Sequence, residues 1–335
     1  MAHKRLSGAV ALVLACLLSP GVFTSVATAQ FAPGGSQAFT FVALGDMPYR
    51  LPEDYEKFAR LIAAINALKT PFSIHIGDTK GGSAPCADAV LSRALEQLQT
   101  FERPLVYTPG DNEWTDCHRE KAGKFNPRER LVKVRELFFA RPGLSLGKTP
   151  MTVETQARLD PKFALFVENQ RFAHNGVQFV LAHVVGSNNG FEPHDPEAVA
   201  EFFARNAANV AWIDDGFSVA RETGAKAVVV AIQADLFDIT QKYPAMPRAS
   251  AFTDTVKAIE RGARSFGKPV LVVSGDAHEL EIEGFRGTNL KLVPNVIRLQ
   301  VMGAERVHAV RVLVDPDDPA VFGFFPLVVP ENGPF

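Results

Sequence analysis

A glycine followed by an aspartate stands at the end of four apolar stretches of the sequence. The four pairs are Gly45-Asp46, Gly77-Asp78, Gly110-Asp111 and Gly275-Asp276. In α/β sheets, ligands bind outside the carboxyl ends of the strands, and a glycine lets the chain turn sharply there. Carboxylates gathered at that edge would repel one another and raise one another's pKa values unless a cation neutralised them. A single Gly-Asp pair is a common turn, but four at predicted strand ends predict a divalent metal site.

The segments around the first three pairs alternate between strand-like and helix-like patterns. Short apolar runs at 39–44, 71–76 and 104–108 each precede a Gly-Asp pair, and the helical periodicity of 52–68 and 87–100 separates them. Three consecutive strand–loop–helix units indicate a largely parallel sheet.

The rest of the chain continues the alternation less regularly. The patterns predict helices at 126–140, 195–224 and 252–266, buried strands at 227–232 and 269–274, and a hairpin over 172–185 that turns at Asn175-Gly176. From Asn295 onward, apolar and polar residues alternate, which predicts antiparallel strands that close a second sheet.

The N-terminus has the pattern of a signal peptide. Basic residues at 3–5 precede an apolar run over about 9–23, and Ala27-Thr28-Ala29 resembles a cleavage site. We predict cleavage after Ala29, a flexible leader at 30–38, and a single domain at 39–335. Two alternatives are a retained membrane anchor, which Ser19-Pro20-Gly21 would interrupt, and a lipoprotein cut before Cys16. The predicted mature chain has no membrane span, and its expected location is periplasmic or secreted.

The net charge and the length of the chain limit the possible partners and the number of domains. Loss of residues 1–29 removes Lys4 and Arg5 and no acid, so 33 basic and 37 acidic side chains remain, a net charge of −4. A mildly acidic protein lacks the basic footprint of a general nucleic-acid binder, so no nucleic-acid partner is expected. The remaining 306 residues fit one large α/β domain or two small ones.

Cys86 and Cys117 form an even pair once the leader is removed. In an oxidising compartment we predict a disulfide between them, which in the chain-entropy model stabilises the fold by roughly 3–4 kcal/mol. The alternatives are two free thiols or a zinc pair, although no CxxC spacing is present. A bridge would fasten the loop after Asp78 to the loop after Asp111.

The order of the motifs resembles the calcineurin-like metallophosphoesterase family. The matching stretches are Asp46-Met47-Pro48, Gly77-Asp78, Gly110-Asp111-Asn112-Glu113, Gln233 after an apolar strand, and Gly275-Asp276-Ala277-His278. The family's motifs carry several histidines that are replaced here, so this chain resembles a divergent member. The resemblance implies a four-layer αββα sandwich of two mixed sheets flanked by helices.

The same resemblance implies a set of metal ligands. One ion would be held by Asp46, Asp78 and His278, while the family's further histidine is replaced by Pro48, which cannot ligate. The ligands implied for a second ion are Asp78, Asp111, Gln233 and Asp276. The histidine that assists at the reacting phosphate is replaced by Asn112, so the implied catalytic residues are Asn112 and His278.

The replacements change the metal preference. Those at 111, 233 and 276 bring oxygen donors, which suit magnesium, calcium and manganese better than zinc or iron. We therefore expect one or two ions of manganese, magnesium or calcium.

Four residues are candidates for substrate binding. Arg50 and Lys80 follow two of the aspartates and would either anchor an anionic substrate or be solvated surface charges. Asn112 is placed to hydrogen-bond a phosphate oxygen. Trp114, like Tyr49, would either line a pocket and stack on a ring or simply pack.

Two functions agree with this pattern. The first is an exported, metal-dependent hydrolase of phosphoric mono- or diesters that acts on a small phosphorylated substrate. The second is a protein that has lost catalysis and binds a ligand or partner at the old site. The replaced histidines count for the second function. The retained Asp46, Asp78 and His278, together with the new carboxylates, favour the enzyme.

Overall fold

The structure is a computed structural model that describes Met1 and residues 38–237 and 251–335. The two long ranges belong to one compact unit. The predicted signal peptide, its cleavage site, Cys16 and the leader up to residue 37 lie outside the described residues. Within those ranges, no helix has the length and apolar character needed to cross a membrane.

Strands and helices alternate along the chain. The strands are β1 (Phe39–Leu44), β2 (Ser73–His75), β3 (Leu105–Tyr107), β4 (Glu154–Thr155), β5 (Gln170–His174), β6 (Val177–Leu181), β7 (Ala227–Ala231), β8 (Val270–Ser274), β9 (Glu281–Arg286), β10 (Leu292–Gln300), β11 (Ala309–Val314) and β12 (Phe322–Leu327). The helices are α1 (Asp54–Leu68), α2 (Asp88–Leu98), α3 (Pro127–Phe138), α4 (Gln156–Leu159), α5 (Gly186–Asn189), α6 (Pro196–Glu222) and α7 (Thr253–Phe266), with 3-10 turns at Thr115–His118, Pro161–Phe163 and Pro330–Asn332.

The strands form two mixed sheets. The first has the order β12-β11-β1-β2-β3, and the second has the order β4-β5-β6-β7-β8-β10-β9. β1, β2 and β3 are parallel, as are β6, β7, β8 and β10, while the remaining pairs are antiparallel. The carboxyl ends of the parallel strands carry the loops that begin with Gly-Asp.

Alternation along β1 shows how the layers pack. Phe41 and Ala43 belong to the apolar cluster shared by the two sheets, together with Phe179 of β6. Val42 and Leu44 point the other way, into the cluster that includes α1, α2 and α3. A third cluster lies between the second sheet and helices α6 and α7. The result is the predicted four-layer αββα sandwich.

The structure contains the helix cap and the hairpin turn that local sequence signals predict. Asp195 caps α6 by accepting hydrogen bonds from the N–H groups of Glu197 (3.0 Å) and Ala198 (3.2 Å). Asn175 and Gly176 both have positive φ, which is the geometry of a tight hairpin turn.

The prediction for the C-terminal region was partly wrong. β11 and β12 do form antiparallel strands, on the edge of the sheet that contains β1. β10, however, joins the other sheet parallel to β8, with β9 antiparallel on its far side. Alternation of apolar residues reports a half-buried strand but not which neighbour it pairs with, because pairing is a non-local choice.

Candidate metal centre

The four Gly-Asp pairs converge at one edge of the molecule. Three of the aspartates, Asp46, Asp78 and Asp276, have left-handed backbone conformations, with φ of 54°, 56° and 71°. Aspartate tolerates this region better than most residues because its short side chain bonds locally. Gly77 also has positive φ (94°), and a Cβ there would collide with the backbone of Gly110. These turns bring the loops after β2 and β3 into backbone contact.

Two groups of possible metal ligands share one carboxylate. Asp46, Asp78 and His278 each offer a ligand atom, and the three atoms lie within 4.8 Å of one another. Asp78, Asp111 and Asp276 form a second group by the same criterion. Asp78 therefore lies where it could bridge two ions, as the motif order predicted. The assignment of these residues as ligands stays a prediction.

The electrostatics of the centre favour a cation. Asp46 and Asp78 are buried, at 0% and 1% exposure. Burial raises the pKa of both carboxyls well above the ordinary value, and the nearby Asp111 charge raises both pKa values further. Asp111 itself has a buried oxygen, Oδ1, without a hydrogen-bond partner among the described residues. A donor set of four aspartates and one histidine, with an unsatisfied buried oxygen, fits one or two divalent ions.

Tyr49 is the residue at the centre that the metal-ligand prediction missed. Its hydroxyl donates to Asp78 Oδ2 (2.7 Å), accepts from Asn112 Nδ2 (2.9 Å) and lies 3.0 Å from His278 Nε2. Burial raises the pKa of Tyr49 well above its ordinary value, and the neighbouring Asp78 and Asp46 charges add to this. The phenol therefore stays protonated and acts as a donor. Its position three residues after Asp46 was the only signal in the sequence.

Asn112 and Glu113 fix the geometry of Asp78. Asn112 donates to Asp78 through its backbone N–H (3.0 Å) and through Nδ2 (2.6 Å). The carboxylate of Glu113 accepts from the backbone N–H groups of Asp78 (3.1 Å) and Gly110 (2.9 Å). Glu113 thus joins the two loops, and Asn112 holds the carboxylate that both groups of ligands share.

Gln233 lies at the centre, but its amide oxygen is engaged. Oε1 accepts a hydrogen bond from the N–H of Gly186 (2.6 Å), and the side chain is fully buried. The amide nitrogen Nε2 is buried without a hydrogen-bond partner among the described residues, and it lies near enough to Asp46 to lower the pKa of that carboxyl. In this arrangement Gln233 presents nitrogen to the carboxylates, so its predicted role as a ligand would need the amide to turn.

Ser187 is a second residue that the sequence did not single out. It lies in α5, where Ser187 and Asn188 have left-handed rather than helical torsions. Its Oγ is 2.7 Å from Asp111 Oδ2 and 2.8 Å from Asp116 Oδ1. One hydroxyl proton cannot serve both carboxylates, so a positive charge or a further proton is favoured here. Arg119 supplies part of that charge, because it pairs with Asp116 (2.5 Å) and donates to Ser187 Oγ (3.2 Å).

The three other predicted substrate contacts occupy different environments. Lys80 is buried and donates to the carbonyl oxygens of Gly81 (3.3 Å) and Ala84 (3.1 Å), so the solvated alternative is wrong for it. Arg50 is exposed, pairs with Asp54 (3.3 Å), and shares with His278 a cleft of about 580 Å³. Trp114 is buried and lines a cavity of about 300 Å³.

The predicted disulfide is confirmed. Cys86 and Cys117 are bonded, with their Cα atoms 5.7 Å apart. The bond joins the loop that follows Asp78 to the turn that follows Asp111, so the two segments that carry the shared centre are covalently linked.

Comparison with known proteins supports the fold. No protein-family model and no curated protein sequence matches the chain. Among solved structures, the chain is similar to a purple acid phosphatase, PPD1 from seeds of yellow lupin (Lupinus luteus), with a TM-score of 0.50 and 11% identity. The match covers 89% of this chain and 55% of that chain. GAP50, the anchor in the inner membrane complex of Plasmodium, gives a TM-score of 0.47 at 9% identity over 87% of this chain and 89% of that chain.

At such low identity the likeness concerns the fold alone. The αββα architecture predicted from the motif order is the part of the prediction that this likeness supports.

Proposed function

We propose that this protein is an exported, metal-dependent hydrolase of phosphoric esters and a divergent member of the calcineurin-like metallophosphoesterases. The observation that carries the proposal is the pair of ligand groups that share Asp78 at the carboxyl ends of the strands. Periplasmic or secreted location rests on the leader sequence, and the Cys86–Cys117 disulfide is compatible with it. The single domain at 39–335 is part of the same proposal.

In this proposal Asp46, Asp78 and His278 hold one ion, and Asp78, Asp111 and Asp276 hold a second. Divalent ions held by these residues would supply charge neutralisation of a phosphoryl group and a water molecule of lowered pKa. The preference is for manganese, magnesium or calcium, because aspartate oxygens dominate the donor set.

The chain's own contribution is to position these groups. Asn112 and Tyr49 hold the Asp78 carboxylate through hydrogen bonds, and both present N–H or O–H donors beside it. A phosphoryl oxygen at this point could accept from the same donors only by replacing Asp78 or Tyr49 as the acceptor. No histidine stands at 112 to protonate a leaving group, so esters with good leaving groups should be hydrolysed fastest.

Ligand binding without turnover is the second candidate. It is favoured by the position of the Tyr49 hydroxyl, which lies within hydrogen-bond distance of both Asp78 and His278. If this phenol does not move, it takes space that a substrate would need between the two ligands.

An assay of the hydrolysis of aryl phosphate mono- and diesters, with magnesium, manganese or calcium added in turn, distinguishes the hydrolase from the binding function. The proposal expects metal-dependent turnover that is lost on chelation and in Asp78→Asn. Asp317→Asn, a change at an exposed loop residue, is the matched control and should keep full activity. Turnover that is equal in Asp78→Asn and wild type would exclude this site, and no turnover with any ion would favour the binding function.

A further inference from the structure

A cavity of about 300 Å³ adjoins the candidate metal centre on the side of Asp111. Its wall includes Ser187, whose hydroxyl lies 2.7 Å from Asp111 Oδ2. The cavity therefore begins one hydroxyl group away from a predicted metal ligand. A phosphoryl group at the centre could direct its ester substituent into this space. The volume is at the lower end of the roughly 300–1,000 Å³ of ligand cavities, which suits a small alcohol.

The charges around this cavity are predominantly negative. Its ionisable lining consists of four carboxylates, one arginine and two histidines: Asp116, Glu192, Asp195, Glu201, Arg128, His118 and His194. Arg128 is shared between Asp195 (2.7 Å) and Glu197 (2.8 Å), outside the cavity. Arg119 neutralises Asp116, and Arg205 neutralises Glu201 (2.7 Å). With these partners included, five acids face three arginines, so a negative charge remains in excess.

Among the acids that line the cavity, Glu192 contributes most clearly to the excess of negative charge, because it has no basic partner in the described part of the chain. It is half-buried, and no basic group lies within 4.0 Å of its carboxylate among the described residues. Trp114 supplies an aromatic part of the wall, and its indole N–H is buried without an acceptor in the described chain. Buried donors are normally satisfied, so an unpaired one beside a cavity is consistent with a ligand that accepts a hydrogen bond there.

The cleft on the opposite side of the centre has a different balance. It contains His278 and is lined by Arg50, Lys57 and Arg306 together with two glutamates, and with Asp54, the partner of Arg50 and Lys57, three acids face three bases. Anionic groups are therefore better accommodated on the His278 side than on the Asp111 side. This asymmetry orients a phosphoester, with its alcohol part toward the acidic cavity.

We propose that the cavity lined by Trp114, Ser187 and Glu192 binds the alcohol part of a phosphoester and selects an alcohol that bears an amine or quaternary ammonium group. The assignment of this alcohol as a leaving group rests on the proposed hydrolase function. The cation site itself does not.

Three phosphate monoesters of similar size test the selection. They are phosphocholine, its uncharged isostere 3,3-dimethylbutyl phosphate, and the anionic 3-phosphoglycerate. We expect kcat/KM to fall in that order, with about a fivefold step for each change of charge, the factor expected of one solvent-screened charge at close range. Glu192→Gln should reduce the first step to less than about twofold. Glu222→Gln, an exposed change at the far end of α6, is the control.

Calorimetric titration with choline alone gives a readout that needs no turnover. We expect choline to bind wild type and Glu222→Gln, and to bind Glu192→Gln about fivefold more weakly. Hydrolysis without a preference for phosphocholine would overturn the cation site and leave the hydrolase intact. Binding of choline without hydrolysis of any ester, aryl phosphates included, would overturn the hydrolase and leave the cation site. Absence of both would overturn both.

Discussion

Replacement of Asp78, the carboxylate that both groups of ligands share, should have opposite effects on thermal stability with and without metal. In the presence of a chelator, the difference in melting temperature between Asp78→Asn and wild type should shift in favour of the variant as pH rises from about 5 to 7. In the presence of saturating divalent ions, the difference should instead favour wild type strongly. Both effects follow from one buried carboxyl group.

The pH effect has a definite sign. Burial and the neighbouring acids raise the pKa of Asp78 in the native state well above the ordinary value of an aspartate. Above pH 4 the native state therefore holds a proton that the unfolded state has lost, so the unfolding free energy falls as pH rises. The slope is at most about 1.4 kcal/mol per pH unit for one group. Asparagine has no such slope. Histidines with lowered pKa, such as His75 at about 3, contribute equally to both proteins and cancel in the difference.

The expected magnitudes are measurable. Unfolding about 300 residues carries an entropy of roughly 0.6 kcal/mol per degree, so the slope corresponds to at most about 2 °C per pH unit. An ion at 100 times its Kd stabilises the native state by about 2.7 kcal/mol, or about 4 °C. Asparagine cannot bridge two ions as a carboxylate does. The backbone N–H of Asn112 donates to the side chain at position 78, so only the amide oxygen of an asparagine there, and not its NH₂ group, can accept this hydrogen bond.

Differential scanning calorimetry at half-unit pH steps, with chelator and with manganese, measures both effects. Asp317→Asn should follow wild type throughout. A difference that is flat or opposite in chelator would refute the buried-carboxyl reasoning. Equal stabilisation of variant and wild type by manganese would refute the role of Asp78 in binding.

Two variants and one metal analysis test other parts of the site. Tyr49→Phe removes a donor to Asp78, and we expect a loss of about 1 kcal/mol in unfolding free energy and of about tenfold in kcat for an aryl phosphate; unchanged kcat would place the phenol outside the reaction. Replacing Cys86 and Cys117 together by serine opens a loop with a sequence separation of 31 residues, which should cost about 3–4 kcal/mol by denaturant unfolding and weaken manganese affinity; undiminished affinity would mean that the bridge does not support the centre. Protein folded without added ions should not retain stoichiometric zinc or iron by elemental analysis, because oxygen donors dominate; finding either metal at one per chain would contradict the predicted preference.

Much of the fold was predictable because its signals are local. The Gly-Asp pairs end apolar strands, Asp195 caps a helix, and Asn175-Gly176 forms the hairpin, each over a few residues. The parallel pairing of β10 with β8 was missed because strand partners are chosen by distant segments.

The site was predictable to a similar extent. The four aspartates follow strand ends and were found by that position. Tyr49 was considered only as a stacking surface, because its direction depends on the left-handed turn at Asp46. Ser187 was missed because it reaches Asp111 from a non-helical turn more than 70 residues away in sequence. Lys80 could not be placed, since spacing does not report whether a lysine is buried against carbonyl oxygens.

In the proposed centre, two metal ions share the carboxylate of Asp78. Anomalous diffraction from crystals grown with manganese tests it most directly. We expect anomalous density within about 2.0–2.6 Å of carboxylate oxygens in the group of Asp46, Asp78 and His278, and in the group of Asp78, Asp111 and Asp276. Manganese bound elsewhere, or no peak at either group in protein that hydrolyses phosphoesters, would contradict it.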